Sequence, residues 1–180
     1  MVHMVNLLEE QKLIEKSKND LKAFGALYDL YVKKIYSFVA YLVGNNTEAE
    51  DIVSETFEKA MLNLEKFEYR GYSFGAWLYK IARNLVYDRS KSKRHVSLDE
   101  VENFLGDSDL NPETLVEKSE KSTILNNLIS KLKKEQREVI YLRYIQKYSI
   151  KEVCKILDKS EDSVKSLAKR GIQRLQDLTL

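Results

Sequence analysis

Ser73-Phe74-Gly75-Ala76-Trp77-Leu78-Tyr79-Lys80-Ile81-Ala82-Arg83-Asn84-Leu85-Val86-Tyr87-Asp88-Arg89-Ser90-Lys91-Ser92-Lys93-Arg94 reads as one helix with two different faces. Phe74, Leu78, Ile81 and Leu85 recur at three- and four-residue intervals, so one face is buried. The opposite face carries Lys80, Arg83, Asn84 and Asp88 and continues into Arg89, Lys91, Lys93 and Arg94. Just upstream, residues 67–72 form a loop-like turn holding Phe67, Tyr69, Arg70, Gly71 and Tyr72. Rings stack on bases of any kind and cations follow phosphates, so aromatics beside a basic helix face suit single-stranded nucleic acid. An amphipathic helix with a solvated basic face is the competing reading. Trp77 falls beside the apolar stripe and is read as core, not as a stacking platform.

The rest of the chain is helical in pattern as well. It has one proline in 180 residues, and no apolar/polar alternation is long enough for a sheet. Phe24, Leu27, Tyr28, Tyr31, Ile35, Phe38, Val39 and Leu42 keep helical spacing, with Asp20 as N-cap and Gly44-Asn45-Asn46 as the stop. Thr47-Glu48-Ala49-Glu50 matches a capping box opening a helix through about Leu64, with Ile52, Val53, Thr56, Phe57 and Ala60 inward. Ser73 is the candidate cap of the next helix. With a short helix before them, these make a first helical domain, residues 1–94.

Residues 95–122 lose the periodicity and gather turn residues, although Asn111-Pro112-Glu113 could open a helix. They hold two basic and eight acidic side chains, a net charge of −6. Residues 1–94 carry +2 and residues 123–180 carry +6, so a total of +2 hides two neutral-to-basic blocks joined by an acidic linker. The fold class expected is therefore all-α, in two small domains.

The second block, residues 123–180, opens with apolar spacing at Ile124, Leu128, Ile129 and Leu132, then at Val139, Ile140, Leu142 and Ile145. Ser149-Ile150-Lys151-Glu152 is a capping box for a helix ending near Leu157. After the tight Asp158-Lys159 connection, Ser160 caps a last helix with Glu161 and Asp162 in its first turn. Two helices joined by so short a turn suit a helix-turn-helix. Val164 points inward. Ser163, Lys165, Ser166, Lys169 and Arg170 lie where side chains reach base edges and phosphates. Ser149 and Lys151 could hold a phosphate at the preceding helix start. Cys154 shares a face with Ile150 and Leu157, which makes it a small packing residue and not a redox thiol.

Composition excludes several classes. One cysteine and two histidines cannot build a zinc site or a disulfide framework, so a reducing, cytoplasmic setting with no cofactor or metal is expected. No apolar run is long enough to cross a bilayer, so no membrane insertion is expected. The first ten residues turn acidic at once, unlike a secretory signal.

Three motifs together resemble a bacterial RNA polymerase sigma factor of the extracytoplasmic-function group. Ala49-Glu50-Asp51-Ile52-Val53-Ser54-Glu55-Thr56-Phe57 is similar to that family's A-E-D-(L/I)-(V/L)-Q-(E/D)-(T/V)-F. Residues 74–85 are similar to F-x-x-W-L-x-x-I-A-x-N. Gln136-Arg137-Glu138-Val139 followed by Ser163-Val164-Lys165-Ser166 is similar to Q-R-E-V and then T-V-K-S. The resemblance implies that Asp51, Ser54, Glu55 and Glu58 dock on core RNA polymerase. It implies that Tyr69, Arg70, Tyr72, Lys80, Arg83, Asn84 and Arg89 read the proximal promoter element on an unpaired strand, Asn84 at a base and Arg83 and Arg89 at phosphates. The last helix would read the distal element as duplex, the linker would follow the RNA exit path, and an anti-sigma factor would be a further partner. Ser54 stands where the family has Gln, Ser163 where Thr is common, and Leu167 where a basic residue is usual.

Two other classes fit parts of the pattern. One is a helix-turn-helix regulator acting on duplex DNA without joining polymerase, which would have no use for a single-strand reader. The other is a small helical enzyme. Against it, no carboxylate–metal cluster, Gly-rich phosphate loop or nucleophile–base pair is identifiable, and Asp51 with Glu55 is read as a surface acidic stripe.

Overall fold

The computed structural model describes residues 7–69, 72–96 and 128–178. Among these, all regular structure is helical: α1 (Leu7–Ser17), α2 (Leu21–Val43), α3 (Asn46–Leu62), a 3-10 turn (Leu64–Lys66), α4 (Phe74–Val96), α5 (Lys134–Ile140), a π-helical turn (Tyr141–Ile145), α6 (Ile150–Leu157) and α7 (Glu161–Asp177). The 95–122 linker, apart from the end of α4, lies outside the described residues, as do Arg70, Ile124 and the Asn111-Pro112 helix start.

Each boundary has a local cause. The Asp20 carboxylate accepts from Lys22 N–H at 2.9 Å and starts α2, and Gly44 ends it in the left-handed region at φ 67°. The start of α3 differs from the expected capping box at Thr47. Asn45 is the cap, its side-chain oxygen accepting from Glu48 N–H at 3.0 Å, so the helix begins at Asn46. Asn45 lies earlier in the chain and meets an orphan N–H that Thr47 is already too far inside the helix to serve. Nor does α3 reach Leu64. Asn63 closes it, and Leu64 is buried in the 3-10 turn that follows. The Ser73 hydroxyl accepts from Ala76 N–H, which opens α4. α4 runs to Val96, past the boundary expected at residue 94.

The apolar stripes meet as their spacing requires. Phe38, Ile35, Leu27, Ile52, Phe74, Leu78 and Tyr79 are fully buried where α2, α3 and α4 pack together. Each such side chain contributes ~1.5–3 kcal/mol by leaving water. α1 closes one side through Ile14, and buried Glu10 accepts a hydrogen bond from the Tyr31 hydroxyl. In the second half, Val139, Leu142, Val153, Ile156, Leu157, Val164 and Leu167 form the core of α5–α7. The stretch from Val139 to Ile145 is not a single α-helix. It changes to π geometry at Tyr141, and Ile145 is left exposed. A π turn rotates the residues on either side relative to a regular helix.

Buried side chains of the two helical domains meet in one continuous core. Tyr141 from the π turn stacks on Tyr41 of α2, ring centroids 5.3 Å apart and planes 20° apart, and tilts against Phe38. Tyr148 meets Tyr79 of α4 edge-on at 5.3 Å. Burial pushes the Tyr41, Tyr79, Tyr141 and Tyr148 phenols well above the ordinary range, so all four stay neutral in this interface.

Candidate nucleic-acid and polymerase interfaces

The helix-turn-helix follows from two serine caps. Ser149 and Glu152 form a reciprocal box: the Ser149 backbone N–H donates to Glu152 at 2.9 Å, and the Ser149 hydroxyl accepts from Glu152 N–H. Asp158 takes the left-handed conformation at φ 53°, turning the chain within three residues. The Ser160 hydroxyl then accepts from Ser163 N–H and opens α7. Val164 and Leu167 anchor α7 on the domain core.

The opposite side of α7 presents Lys165, Ser166, Lys169 and Arg170 to solvent, with Ser163 half-buried at the helix start. Lys165 Nζ lies 2.7 Å from Glu161 Oε1, and Arg170 Nε donates to the Ser166 carbonyl at 3.3 Å. Exposed i,i+4 pairs of this kind contribute little and exchange readily for a phosphate. Lys151 is exposed at the start of α6, while the Ser149 hydroxyl is engaged in its box. Leu167, which stands where the family usually has a basic residue, is buried against the domain core. Cys154 is half-buried, and burial raises its thiol, which disfavours the reactive thiolate.

On α4 the candidates fall into different settings. Tyr69 and Asn84 are exposed, and Tyr72 and Lys80 are half-buried. Trp77 packs against Phe67 and Phe74, with ring centroids at 5.0 and 5.5 Å, which makes it part of the core edge. Arg89 Nη2 donates to Glu55 Oε2 at 2.9 Å across the α3–α4 seam. That bond first, and Lys59 second, hold the Glu55 carboxyl below the usual carboxylate range. The stripe named for polymerase thus touches the one named for DNA. Asp51, Ser54 and Glu58 are exposed on α3, and the Ser54 hydroxyl donates back to the Glu50 carbonyl.

Arg83 is not free. Only 14% of its side chain is exposed, and its Nε lies 3.4 Å from Oε1 of Glu138, a carboxylate with 0% exposure on α5. The Tyr87 hydroxyl donates to the same Oε1 at 3.0 Å. Glu138 has no place in the sequence reading beyond its motif. The available signal was its spacing, three before Tyr141 and four before Leu142, which puts a charge on the buried stripe. Among the described residues no group of three or more His, Cys, Asp or Glu could hold a metal ion, and no helix is long and apolar enough to cross a membrane.

The fold and its two basic faces carry Sigma-70 regions: the chain matches the Sigma-70 region 2 family over residues 27–96 and the Sigma-70 region 4 family over residues 122–175. It is 36% identical to the ECF RNA polymerase sigma factor BldN of Streptomyces coelicolor, aligning over 93% of this chain and spanning 64% of that relative's length. It is 32% identical to the ECF RNA polymerase sigma factor SigW of Bacillus subtilis, over 96% of this chain and 97% of the relative. Among solved structures it is similar to the sigma factor RpoE from Bartonella quintana, crystallised with the anti-sigma factor NepR. The TM-score is 0.74 at 26% identity, covering 88% of this chain and 97% of that one. The chain belongs to the ECF RNA polymerase sigma factors.

Proposed function

We propose that this chain binds core RNA polymerase and directs it to promoters whose two elements are read by its two halves. The observation that carries the proposal is the pairing, in family order, of an exposed basic α7 face behind a capped helix-turn-helix with an α4 face that sets Asn84 beside aromatic and cationic side chains.

In this reading Asp51, Ser54, Glu55 and Glu58 meet a basic polymerase surface, where charge complementarity speeds and orients docking. Tyr69, Arg70, Tyr72, Lys80, Arg83, Asn84 and Arg89 take the proximal element as an unpaired strand. Rings stack, Asn84 pairs with a base edge, and cations follow the backbone. Ser163, Lys165, Ser166, Lys169 and Arg170 take the distal element in the major groove, with Ser149 and Lys151 at a flanking phosphate. Each half alone has few base contacts. Once both ride on polymerase, the second contact is intramolecular and gains from effective concentration.

The domain assignment belongs to the same proposal: residues 1–94 for polymerase and the proximal element, 95–122 as acidic linker along the RNA exit path, and 123–180 for the distal element. The chain acts as a specificity factor without enzymatic chemistry of its own, in the cytoplasm with the polymerase. A relative crystallised with an anti-sigma factor supports such an inhibitor as a third partner. In vitro transcription with core polymerase over a randomised promoter library tests the reading. Enrichment of two spaced elements is expected, whereas binding to duplex DNA without any polymerase-dependent transcript would favour a plain helix-turn-helix regulator.

A further inference from the structure

Besides its buried Val164 and Leu167, α7 is held by its neighbours at two places. The first is Gly171, where a Cβ would stand 3.0 Å from Ile140 Cγ1, closer than ordinary van der Waals contact, so the missing side chain lets α7 lie close on α5. The second is Lys159, in the turn just before α7 begins at Glu161. Its backbone N–H donates to the Cys154 carbonyl of α6 at 3.1 Å. Its Nζ lies 2.7 Å from Oε1 of Glu135 on α5. The next residue, Ser160, caps α7. One residue of the helix-turn-helix turn therefore ties three helices together.

We propose that Lys159 and Glu135 are positioning residues for the distal element: their ion pair sets the tilt of α7 on α5, and with it the bases that Ser163, Ser166 and Arg170 meet. This rests on the assignment of α7 to the distal element. Gly171 acts as a pivot, and a restraint at the N-terminal end then fixes the direction of the helix axis. Ser163, Ser166 and Arg170 all lie between the restraint and the pivot. Only 22% of the Lys159 side chain is exposed, so its stem is packed along the domain and its ammonium has little freedom to swing to a phosphate. Glu135 is exposed, and the Lys159 bond first, with Arg83 and Arg170 adding to it, holds its carboxyl below the usual carboxylate range. An anion within the field of Arg170 weakens attraction for phosphates, so orienting α7 is what accounts for its place. Tilting a reading helix disturbs base contacts before backbone contacts, because base edges are read by directed hydrogen bonds and phosphates mainly by charge.

The test uses the full chain with core RNA polymerase and a randomised promoter library, scoring distal and proximal base enrichment separately. Lys159→Met and Glu135→Gln keep side-chain length and remove one charge each. Either alone should lower distal enrichment about threefold, the scale of one well-held surface pair, and leave proximal enrichment unchanged. The double variant should lose no more than either single, because both remove the same interaction. Holoenzyme affinity for a selected promoter should keep the parent's salt dependence in Lys159→Met, whereas loss of a direct phosphate contact would flatten the slope by about 0.9. Distal enrichment kept in both single variants, additive losses in the double, a flattened salt slope, or a parallel fall in proximal enrichment would each overturn the proposal. A parent chain that enriches a proximal element and no distal one would remove α7 from promoter reading, and this role with it.

Discussion

Phe74 is fully buried and meets Tyr31, Phe67 and Trp77 at centroid distances of 5.7, 5.4 and 5.5 Å, so one side chain ties α2, the residue closing the 3-10 turn and α4 together. Phe74→Ala should cost ~3–5 kcal/mol in urea unfolding; a loss below about 1 kcal/mol would mean that the ring cluster is not the keystone of the first half. Asn84 is exposed, and the opposite outcome is expected of it. Asn84→Ala should leave stability within ~0.5 kcal/mol and alter base discrimination in the proximal element, as read by promoter-library selection. An unchanged proximal preference would remove Asn84 from base reading. Arg170→Ala on α7 should weaken use of the distal element while core binding in a pull-down stays intact.

At the scale of elements, caps and seams set the architecture. The Ser160 hydroxyl satisfies an orphan N–H of α7, so Ser160→Ala should lower stability by ~1 kcal/mol in chemical denaturation, with no change if water replaces the cap fully. The α3–α4 seam is pH-dependent. Arg89 and then Lys59 hold the Glu55 carboxyl below its ordinary value of 4.5. A group with a depressed folded value contributes stability that is present above the unfolded value and lost as pH falls through the folded one. Arg89→Leu should therefore destabilise the chain at neutral pH and matter little in strong acid, as judged by urea midpoints at the two pH values. An equal penalty at both would assign Arg89 a packing role. Much of this scale was legible in the sequence: the α2 stripe, the Asp20, Ser73, Ser149 and Ser160 caps, Gly44, and the inward Val164. Apolar spacing says that a face is buried without saying against what. For that reason the Tyr41–Tyr141 stack, the Tyr79–Tyr148 contact and the Arg83–Glu138 pair were not visible. Local rules also misplaced the start of α3, where Asn45 stands outside the first turn and caps the Glu48 N–H while Thr47 already lies within the helix, and they gave no sign of the π turn at Tyr141. Of the candidate site, the outward face of α7 and exposed Asn84 agree with their sequence pattern. Arg83 and Arg89 do not stand free, because ion pairing depends on neighbours brought from distant segments.

For the whole molecule, the packed halves and the proposed function call for different arrangements of the same chain. On the proposed function the two readers separate on one promoter, and the 28 residues assigned to the linker would reach roughly 90 Å if extended. That is ample for two promoter elements on the polymerase surface. With the two halves packed together, Asp51, Ser54 and Glu58 of α3 stay exposed. The most direct measurement is transcription by purified core RNA polymerase on a randomised promoter library, with and without this chain. The account predicts chain-dependent, start-site-specific transcripts sharing two elements at fixed spacing, together with co-elution of chain and core enzyme. Absence of co-elution, or transcripts no different from those of core enzyme alone, would contradict it.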